Sequence, residues 1–241
     1  MDNALMLGLQ TQRVLQRRMD VTANNLANVA TSGFKADELL FGEVTNTGAS
    51  AEEAPSDIVF VRDIGILHRM EQGPIAMTGN PLDVALEGDG FIMVEGPNGP
   101  LYTRDGAFTL TGEGRLVTSE GRAVLSSGGA PIVLDPQGDT PSIGRDGAIR
   151  VAGVEAGRIG VASFAAPGAL SKVGDNLWDA QNQAPGEFEG VVLQGALEGS
   201  NVRPVVELTR LISISRAYQS AAKIVSQADE LRKSAIQQLG N

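Results

Sequence analysis

Glycine and proline are distributed unevenly along the chain, and this distribution constrains the fold most strongly. Of the 30 glycines, all except Gly8, Gly33 and Gly240 lie within residues 41–199, and so do ten of the 11 prolines. Both residue types interrupt helices and favour turns. Because the two ends of the chain largely lack them, we expect an α+β fold, with helical ends and a Gly-rich, antiparallel β domain inserted between them.

The N-terminal end has a heptad spacing, which is typical of helices that pack on other helices. Its stripe recurs at alternating steps of four and three residues and consists of Gly8, Gln12, Leu15, Met19, Thr22, Leu26 and Val29. We expect this helix to end near residues 31–33, where Gly33 can adopt the left-handed conformation of a C-cap.

The C-terminal end has a second heptad stripe, on a predicted helix from about residue 203 to 238. Its positions are Leu211, Ile214, Tyr218, Ala221, Val225, Ala228, Ala235 and Leu239. Such stripes pack either within one chain, as a hairpin of the two ends, or between chains, and the pattern favours neither. The residues expected at an assembly interface are Leu15, Met19, Leu26, Val29, Leu211, Ile214, Tyr218 and Val225.

The middle of the chain has the patterns of antiparallel strands and tight turns. Leu82, Val84 and Leu86 alternate with smaller or charged residues, which predicts a strand with one buried face. The word Arg-Asp-Gly-Ala occurs at residues 104–107 and 145–148, and it predicts two similar hairpin turns. Since aromatic residues make up only 4% of the chain, we expect an aliphatic core.

These patterns divide the chain into four segments. Residues 1–36 are the first helical segment, residues 37–75 an extended connector, residues 76–190 a β-rich domain, and residues 191–241 the second helical segment. Within the connector, residues 42–57 are polar and acidic, which is typical of an exposed linker.

Charge and composition exclude several classes of partner. The formal net charge is −10, and phosphate binding needs clustered Lys and Arg, so we expect no nucleic-acid partner. The apolar runs are shorter than the roughly 18 residues of a membrane span, so no membrane insertion is expected. We also expect no cleaved signal peptide, because Asp2 comes early and polar residues interrupt the first apolar stretch.

Catalytic constellations are missing from the sequence. There is no cysteine and a single histidine, His68, from which neither a triad nor a multi-histidine metal site can be built. Aspartate pairs are conceivable as acid and base, namely Asp83 with Asp89 or Asp105 with Asp146, but turn chemistry already explains these residues. The sequence therefore predicts no enzyme, no catalytic residue, no metal, no cofactor and no small-molecule substrate.

Three segments carry a family resemblance. The first is Ala23–Lys35, with Asn24, Asn25, Asn28, Gly33 and Phe34. The second is Thr78–Phe91 followed by Tyr102–Phe108, with Asn80, Leu82, Asp83, Gly88, Gly90 and Phe91. The third is Gly195–Val202, with Leu197, Glu198, Ser200 and Asn201, followed by Arg216–Tyr218. Together they resemble the axial proteins of the bacterial flagellum, the rod and hook family.

Within that family, Gly129–Ile132 and Asp146–Ile149 resemble the proximal rod subfamily, although Ala130 interrupts the first word. The distal rod subfamily is the alternative. The resemblance implies that the terminal helices pair as a coiled-coil-like inner domain and that the β domain lies outside it. It also implies a torque-transmitting, hollow rod in the periplasm, built from this chain and the other proximal and distal rod subunits after passage through the flagellar type III export apparatus.

Two other classes of function stay open at this point. One is an extracellular, adhesin-like binding module on a helical stalk, which would need an exposed recognition groove. The other is an enzyme with paired carboxylates, which would need a cleft that holds two close, buried carboxyl groups.

Overall fold

Helices occupy both ends of the chain and strands fill its middle. The computed structural model describes residues 2–46 and 58–239. Helix α1 is Asp2–Ala27 and helix α2 is Pro204–Leu239, within one residue of the predicted bounds at each end of α2. The predicted α+β class is thereby confirmed. Over the described residues, neither helix is apolar enough along its length to cross a bilayer.

The described residues between the helices form sixteen strands, and all their pairings are antiparallel. The strands are β1 Asp37–Asn46, β2 Ile58–His68, β3 Ile75–Met77, β4 Val84–Glu87, β5 Phe91–Gly96, β6 Gly99–Thr103, β7 Phe108–Leu110, β8 Leu116–Thr118, β9 Ser142–Ile143, β10 Ala148–Val151, β11 Val154–Arg158, β12 Val161–Ala162, β13 Ser171–Gly174, β14 Leu177–Asp179, β15 Val191–Gln194 and β16 Ala196–Glu198. One 3-10 turn, Pro167–Ala169, precedes β13.

The chain divides into two compact units. The helical unit consists of Met1–Ala27, Asp37–His68 and Arg203–Asn241, and the β unit consists of Asn28–Ala36 and Arg69–Val202. The segment interpreted as an extended connector, residues 37–75, includes the antiparallel hairpin β1–β2. Residues 47–57, most of the predicted acidic linker, lie outside the described residues. The boundaries at residues 36, 75 and 190 stay predictions.

Within the helical unit, α1 and α2 run antiparallel. Gly8 lies against Val225, so closely that a Cβ on Gly8 would be 2.6 Å from Val225 Cγ2. Near the other end of α1, Thr22 and the early α2 residue Ile214 line the same groove. The hairpin starts where Asn25 holds the backbone of Asp37, donating to its carbonyl at 2.8 Å and accepting from its N–H at 2.9 Å.

Helix α1 ends earlier than predicted. The helix stops at Ala27, and residues 28–33 continue as turns, so Val29 is not on the helical stripe. Asn28 begins a turn in which its carbonyl accepts from Thr31 N, because asparagine competes with helical hydrogen bonding. Gly33 does adopt the predicted left-handed conformation, with φ of 65°, but it serves a close backbone approach and caps no helix.

The β unit contains a large aliphatic core, as expected. Twelve buried side chains form it, and Phe108 is the single aromatic residue among them. The members are Val84, Leu86, Ile92, Phe108, Leu116, Val124, Ile132, Leu134, Ile143, Ile149, Ile159 and Val192.

A second core contradicts the expectation of a purely aliphatic interior. It consists of Phe91, Tyr102, Ala162, Phe164, Leu170 and Trp178. Tyr102 and Phe164 meet edge to face, with ring centroids 4.8 Å apart. The low overall aromatic content was misleading because four of the chain's aromatic residues are concentrated in this one place.

Strand β4 also differs from its prediction. Val84, Ala85 and Leu86 are all buried and Glu87 is exposed, so the predicted alternation is wrong at Ala85. Residues 105–107 run beside the strand, where Val84 N donates to the Gly106 carbonyl at 3.0 Å. The small side chain of Ala85 is therefore buried and does not face solvent.

The two Arg-Asp-Gly-Ala words share a local turn but not a tertiary role. In both, the aspartate accepts from the N–H two residues on, at 3.1 Å in the first word and 3.3 Å in the second. The second word does form the predicted hairpin, between β9 and β10. The first does not, because β6 and β7 belong to different sheets.

Gly106→Ala tests this difference. A Cβ on Gly106 would collide with the backbone carbonyl of Val84, which cannot move without breaking the β4 region, so we expect a loss of at least about 2 kcal/mol in the free energy of unfolding. Gly112→Ala is the control, because a Cβ there meets nothing within 4 Å. Urea denaturation of both variants measures the effect, and equal stability of the two would contradict the packing described for Gly106.

Candidate functional site: a buried charge cluster at Glu198

One side chain from each of the three resembling segments meets in the interior of the β unit. Glu198 Oε1 lies 2.6 Å from Lys35 Nζ, and Glu198 Oε2 lies 3.0 Å from Arg104 Nη1. The side chains of all three residues are at most 2% exposed. The contacts span 163 and 94 residues of sequence, so this cluster joins the beginning, the middle and the end of the chain.

Backbone groups complete the cluster. Lys35 Nζ also donates to the Glu71 carbonyl at 2.7 Å, and Arg104 Nη2 donates to the Gly88 carbonyl at 2.6 Å. Gly73 N donates to Glu198 Oε1 at 2.9 Å. Two cations thus share one carboxylate, and carbonyl dipoles supply the remaining negative potential, which a buried charge requires.

Opposing influences act on the pKa of Lys35. Burial lowers the pKa of Lys35 from its ordinary value, while the adjacent Glu198 carboxylate opposes that shift and the nearby Arg104 adds to it. Arg104 Nε is buried without a hydrogen-bond partner, and its guanidinium lies 5.2 Å from the centre of the Phe91 ring. Glu198 is the carboxylate that contacts both cations, and backbone carbonyls supply their other hydrogen bonds.

Backbone contacts hold the N-terminal segment on the same site. Gly33 N donates to the Glu198 carbonyl at 2.8 Å. A Cβ on Gly33 would collide with the backbone of Arg104 and Asp105, which explains why glycine stands there. Phe34 is buried with Ala36 and Val202, and Val29 packs against them.

Asn201 connects the segments through both ends of its amide. Its Oδ1 accepts from Ala36 N at 2.8 Å, and its Nδ2 donates to the carbonyls of Arg69 and Glu71, at 2.8 Å and 2.9 Å. The neighbouring Ser200 hydroxyl accepts from Val202 N at 3.2 Å. Both residues therefore shape the segment that carries Glu198.

The central signature residues have structural roles of the same kind. Asp83 accepts from the Thr78 hydroxyl at 2.6 Å and from Asn80 Nδ2 at 2.8 Å, which closes the turn before β4. Gly90 lies so close to the Phe188 ring that a side chain there would collide with it, and Gly88 is near the same ring.

The remaining predicted signature residues lie at varied depths. Leu82 packs against the aliphatic core, Phe91 belongs to the aromatic core, and half-buried Leu197 pairs with Ala76 between β16 and β3. Asn25 is buried in the helical unit, whereas Asn24 is exposed and Asn28 accepts from the Thr31 hydroxyl at 3.2 Å.

The conceivable acid–base pairs have structural explanations. Both carboxylate oxygens of Asp83 accept hydrogen bonds from its own turn. Asp146 is half-exposed, 3.2 Å from Arg158, in the hairpin between β9 and β10. Among the described residues, no group of three His, Cys, Asp or Glu side chains is placed to hold a metal ion.

The predicted assembly stripes are at least partly covered within the single chain. Leu15 and Ile214 are buried, and Met19, Leu26, Leu211, Tyr218 and Val225 are half-buried. A groove of about 220 Å³ also lies in the helical unit, lined by Thr22, Asn25 and Ile214 together with the ion pair of Glu207 and Arg210.

The sequence patterns do not single out Lys35 and Arg104, although both lie inside the segments that carry the family resemblance. A signal for them was present, because each is a lone cation among glycine, aromatic and small residues. The missing information was the counter-charge: nothing in a single sequence pairs these cations with Glu198.

Glu198→Gln tests the cluster. The change removes the carboxylate that contacts both Lys35 and Arg104. Removing one partner of a buried ion pair costs about 3–5 kcal/mol, so the free energy of unfolding should fall by about that amount. Lys35→Met leaves one cation beside one carboxylate, and its loss should be smaller.

Urea denaturation followed by the fluorescence of the buried Trp178 measures both variants, since this tryptophan lies in the β unit. Glu189→Gln, at an exposed carboxylate, is the matched control and should stay within about 0.5 kcal/mol of the unmodified chain. A greater loss for Lys35→Met than for Glu198→Gln would contradict the charge balance.

Asp105→Asn tests a second electrostatic feature. Burial raises the pKa of Asp105 from 3.8 to about 6, against the opposing hydrogen bond from Ala107 N. The folded chain therefore holds this proton more tightly than the unfolded chain, and the resulting stability is complete below about pH 4 and lost as pH rises through 6. The asparagine variant keeps the acceptor without the charge.

We therefore expect the Asp105→Asn chain to match the unmodified chain near pH 4 and to be more stable by about 1–2 kcal/mol near pH 7.5, allowing for partial exposure of the carboxyl. Thermal unfolding at a series of pH values measures the difference. A stability difference that does not change between these pH values would show that Asp105 does not titrate in this range.

The chain matches three family descriptions in the order of its segments. Residues 5–35 match the flagella basal body rod protein family, residues 85–151 match the D1 domain of flagellar hook protein FlgE/F/G, and residues 193–238 match the C-terminal part of flagellar basal body rod FlgEFG proteins. Lys35, Arg104 and Glu198 fall one in each matched range. None of these descriptions names a catalytic activity.

Curated relatives match the chain end to end. A flagellar basal-body rod protein FlgF of Caulobacter vibrioides is 41% identical over 242 residues, covering 100% of this chain and 99% of the relative. FlgF of Rhizobium meliloti is 34% identical with the same coverage, and FlgG of Bacillus subtilis is 32% identical over 95% of this chain and 96% of the relative. The predicted resemblance is confirmed, and the chain belongs to the flagellar basal-body rod protein family.

Proposed function

We propose that the chain is a structural subunit of the flagellar basal-body rod. The observation that supports this most strongly is full-length similarity to proteins named FlgF, together with a buried cluster built from all three matched family segments. Its place is the flagellar basal body, and its partners are further copies and other rod subunits. FlgF is the proximal rod protein of the family, so we assign the chain to the proximal part.

Further parts of this role rest on the family resemblance. The chain would span the periplasm as part of a hollow rod that transmits torque, after export through the flagellar type III apparatus without a cleaved signal peptide. The acidic net charge of −10 is compatible with a protein that binds other protein subunits and no nucleic acid. An adhesin-like module or a carboxylate enzyme is not favoured by any relative.

We propose that the two helices act as a coiled-coil-like assembly element. The stripe that includes Leu15 and Ile214 is covered within the chain, which supports its use in pairing α1 with α2. A different set of apolar side chains on these helices is exposed: Met6, Leu7, Leu9, Val205, Val206, Leu208, Ile212, Ile224 and Leu231. Because apolar patches on a protein surface often mark interaction sites, we take these side chains as the candidates for contacts with neighbouring subunits.

Two neighbouring isoleucines separate pairing from assembly. Ile212 is 47% exposed and Ile214 is 7% exposed. Ile212→Asp should leave the helix content and melting of the isolated chain unchanged but prevent rod formation, because every subunit contact would then bury a carboxylate at a cost of several kcal/mol. Ile214→Asp should already lower the helix content of the isolated chain.

The experiment is complementation of cells from which the gene has been deleted. Cells without the chain should be non-motile, and electron microscopy of their basal bodies should show no complete rod. The unmodified chain and Ile212→Leu should restore both, and Ile212→Asp should restore neither. Motility of the deletion cells would contradict the proposed function. Motile Ile212→Asp cells with normal rods would show only that this face of α2 is not an assembly surface.

A further inference from the structure

Strand pairing in the β unit combines close and distant partners. Strands β5 and β6, β7 and β8, and β10 and β11 each pair with a neighbour in sequence. Strands β3 and β4 instead belong to two-stranded sheets whose other members are β16 and β15, at the far end of the unit. Local pairs close short loops and form early, whereas distant pairs must first lose the entropy of a long loop.

The N-terminal segment 28–36 docks largely on the same late part of the sequence. Gly33 N donates to the Glu198 backbone carbonyl, and Ala36 N donates to Asn201 Oδ1. In return, Asn201 N donates to the Phe34 carbonyl at 3.3 Å. The apolar contact of Phe34 is completed by Val202. Some contacts come from earlier residues, among them the Glu71 carbonyl and the Asn176 side chain, which donates to the Ser32 carbonyl at 3.0 Å.

The buried charges of Lys35 and Arg104 prevent the contacts with earlier residues from docking segment 28–36 without Glu198. If segment 28–36 docked without residue 198, Lys35 would be buried near Arg104, and the nearest opposite charge acting on Lys35 would be the exposed Asp89, whose effect on the pKa of Lys35 is the smallest of the causes. Burying an uncompensated charge is strongly unfavourable, and here two like charges would be buried together. The docked arrangement of the N-terminal segment is therefore stable only after Glu198 has entered.

We propose that residues 191–202 are the last part of the β unit to fold. Segment 28–36 stays undocked until then, because Lys35 and Arg104 can be buried together only when the Glu198 carboxylate is in place. The mechanism is a conformational device of the chain itself, and it holds whether or not the chain builds a rod. Its consequence is an ordered sequence of folding events, in which local hairpins form first and the N-terminal segment gains its structure together with the last strands of the unit.

Pulsed hydrogen exchange during refolding of the full chain tests the order. After dilution from urea, amides of β7 and β8 should become protected first, and the amides of residues 33–36 should become protected in one later phase together with residues 196–201. Protection of residues 33–36 in an earlier phase than residues 196–201 would overturn the proposal. This arm uses the unmodified chain and does not depend on any variant folding.

Native-state hydrogen exchange of variants tests whether the Glu198 charge controls the docking of segment 28–36. In Glu198→Gln, exchange of the amides in residues 33–36 should accelerate by about tenfold more than exchange of the amides in β7 and β8, which follow the loss in global stability. The exposed Glu189→Gln is the control and should change neither region. Adding Lys35→Met to Glu198→Gln should restore part of the protection, because one of the two uncompensated cations is then removed. Unchanged exchange of residues 33–36 in Glu198→Gln, or no recovery in the double variant, would show that charge does not control docking.

Discussion

The Glu198 carboxylate is the interaction on which the arrangement of the β unit depends. It is buried, it accepts from two cations and one backbone N–H, and it lies on the last strand of the unit. A buried pair of this kind adds little net stability compared with apolar packing, but it strongly disfavours any arrangement that leaves one charge alone. Its contribution is thus specificity: it selects the one way in which three distant segments can meet.

The contacts around the cluster explain the residue types that the three segments use. Gly33 has no side chain because the backbone of Arg104 lies against it. Asn201 holds the backbone on both sides of Lys35, at Phe34 and Ala36, and it also bonds the carbonyls of Arg69 and Glu71. The aliphatic core and the aromatic core then fill the space that these backbone positions define. Each family segment thereby has a physical reason for its composition: glycine for close approach, asparagine for paired backbone contacts, and single charges for the cluster.

The helices and the turn-rich middle could be predicted because their signals are local. Heptad spacing located α2 to within one residue at each end, and the second Arg-Asp-Gly-Ala word gave its hairpin. The errors arose where tertiary contacts override local preference. Asn28 ends α1 although the apolar stripe runs on to Val29, and Gly106 lies against Val84 where its word predicted a hairpin. The cluster was missed for the same reason, since the partners of Glu198 are 163 and 94 residues away.

The approach of Gly8 to Val225 has a mechanical consequence for the helix pair. Gly8 is the one glycine of α1, so the notch that receives Val225 exists at a single level of that helix. A slip of α2 along α1 by one turn, about 5.4 Å, would bring Val225 against a residue with a side chain and force the two axes apart. The pair therefore resists shear along its length through shape alone, and a load applied to one helix is passed to the other without a change of register.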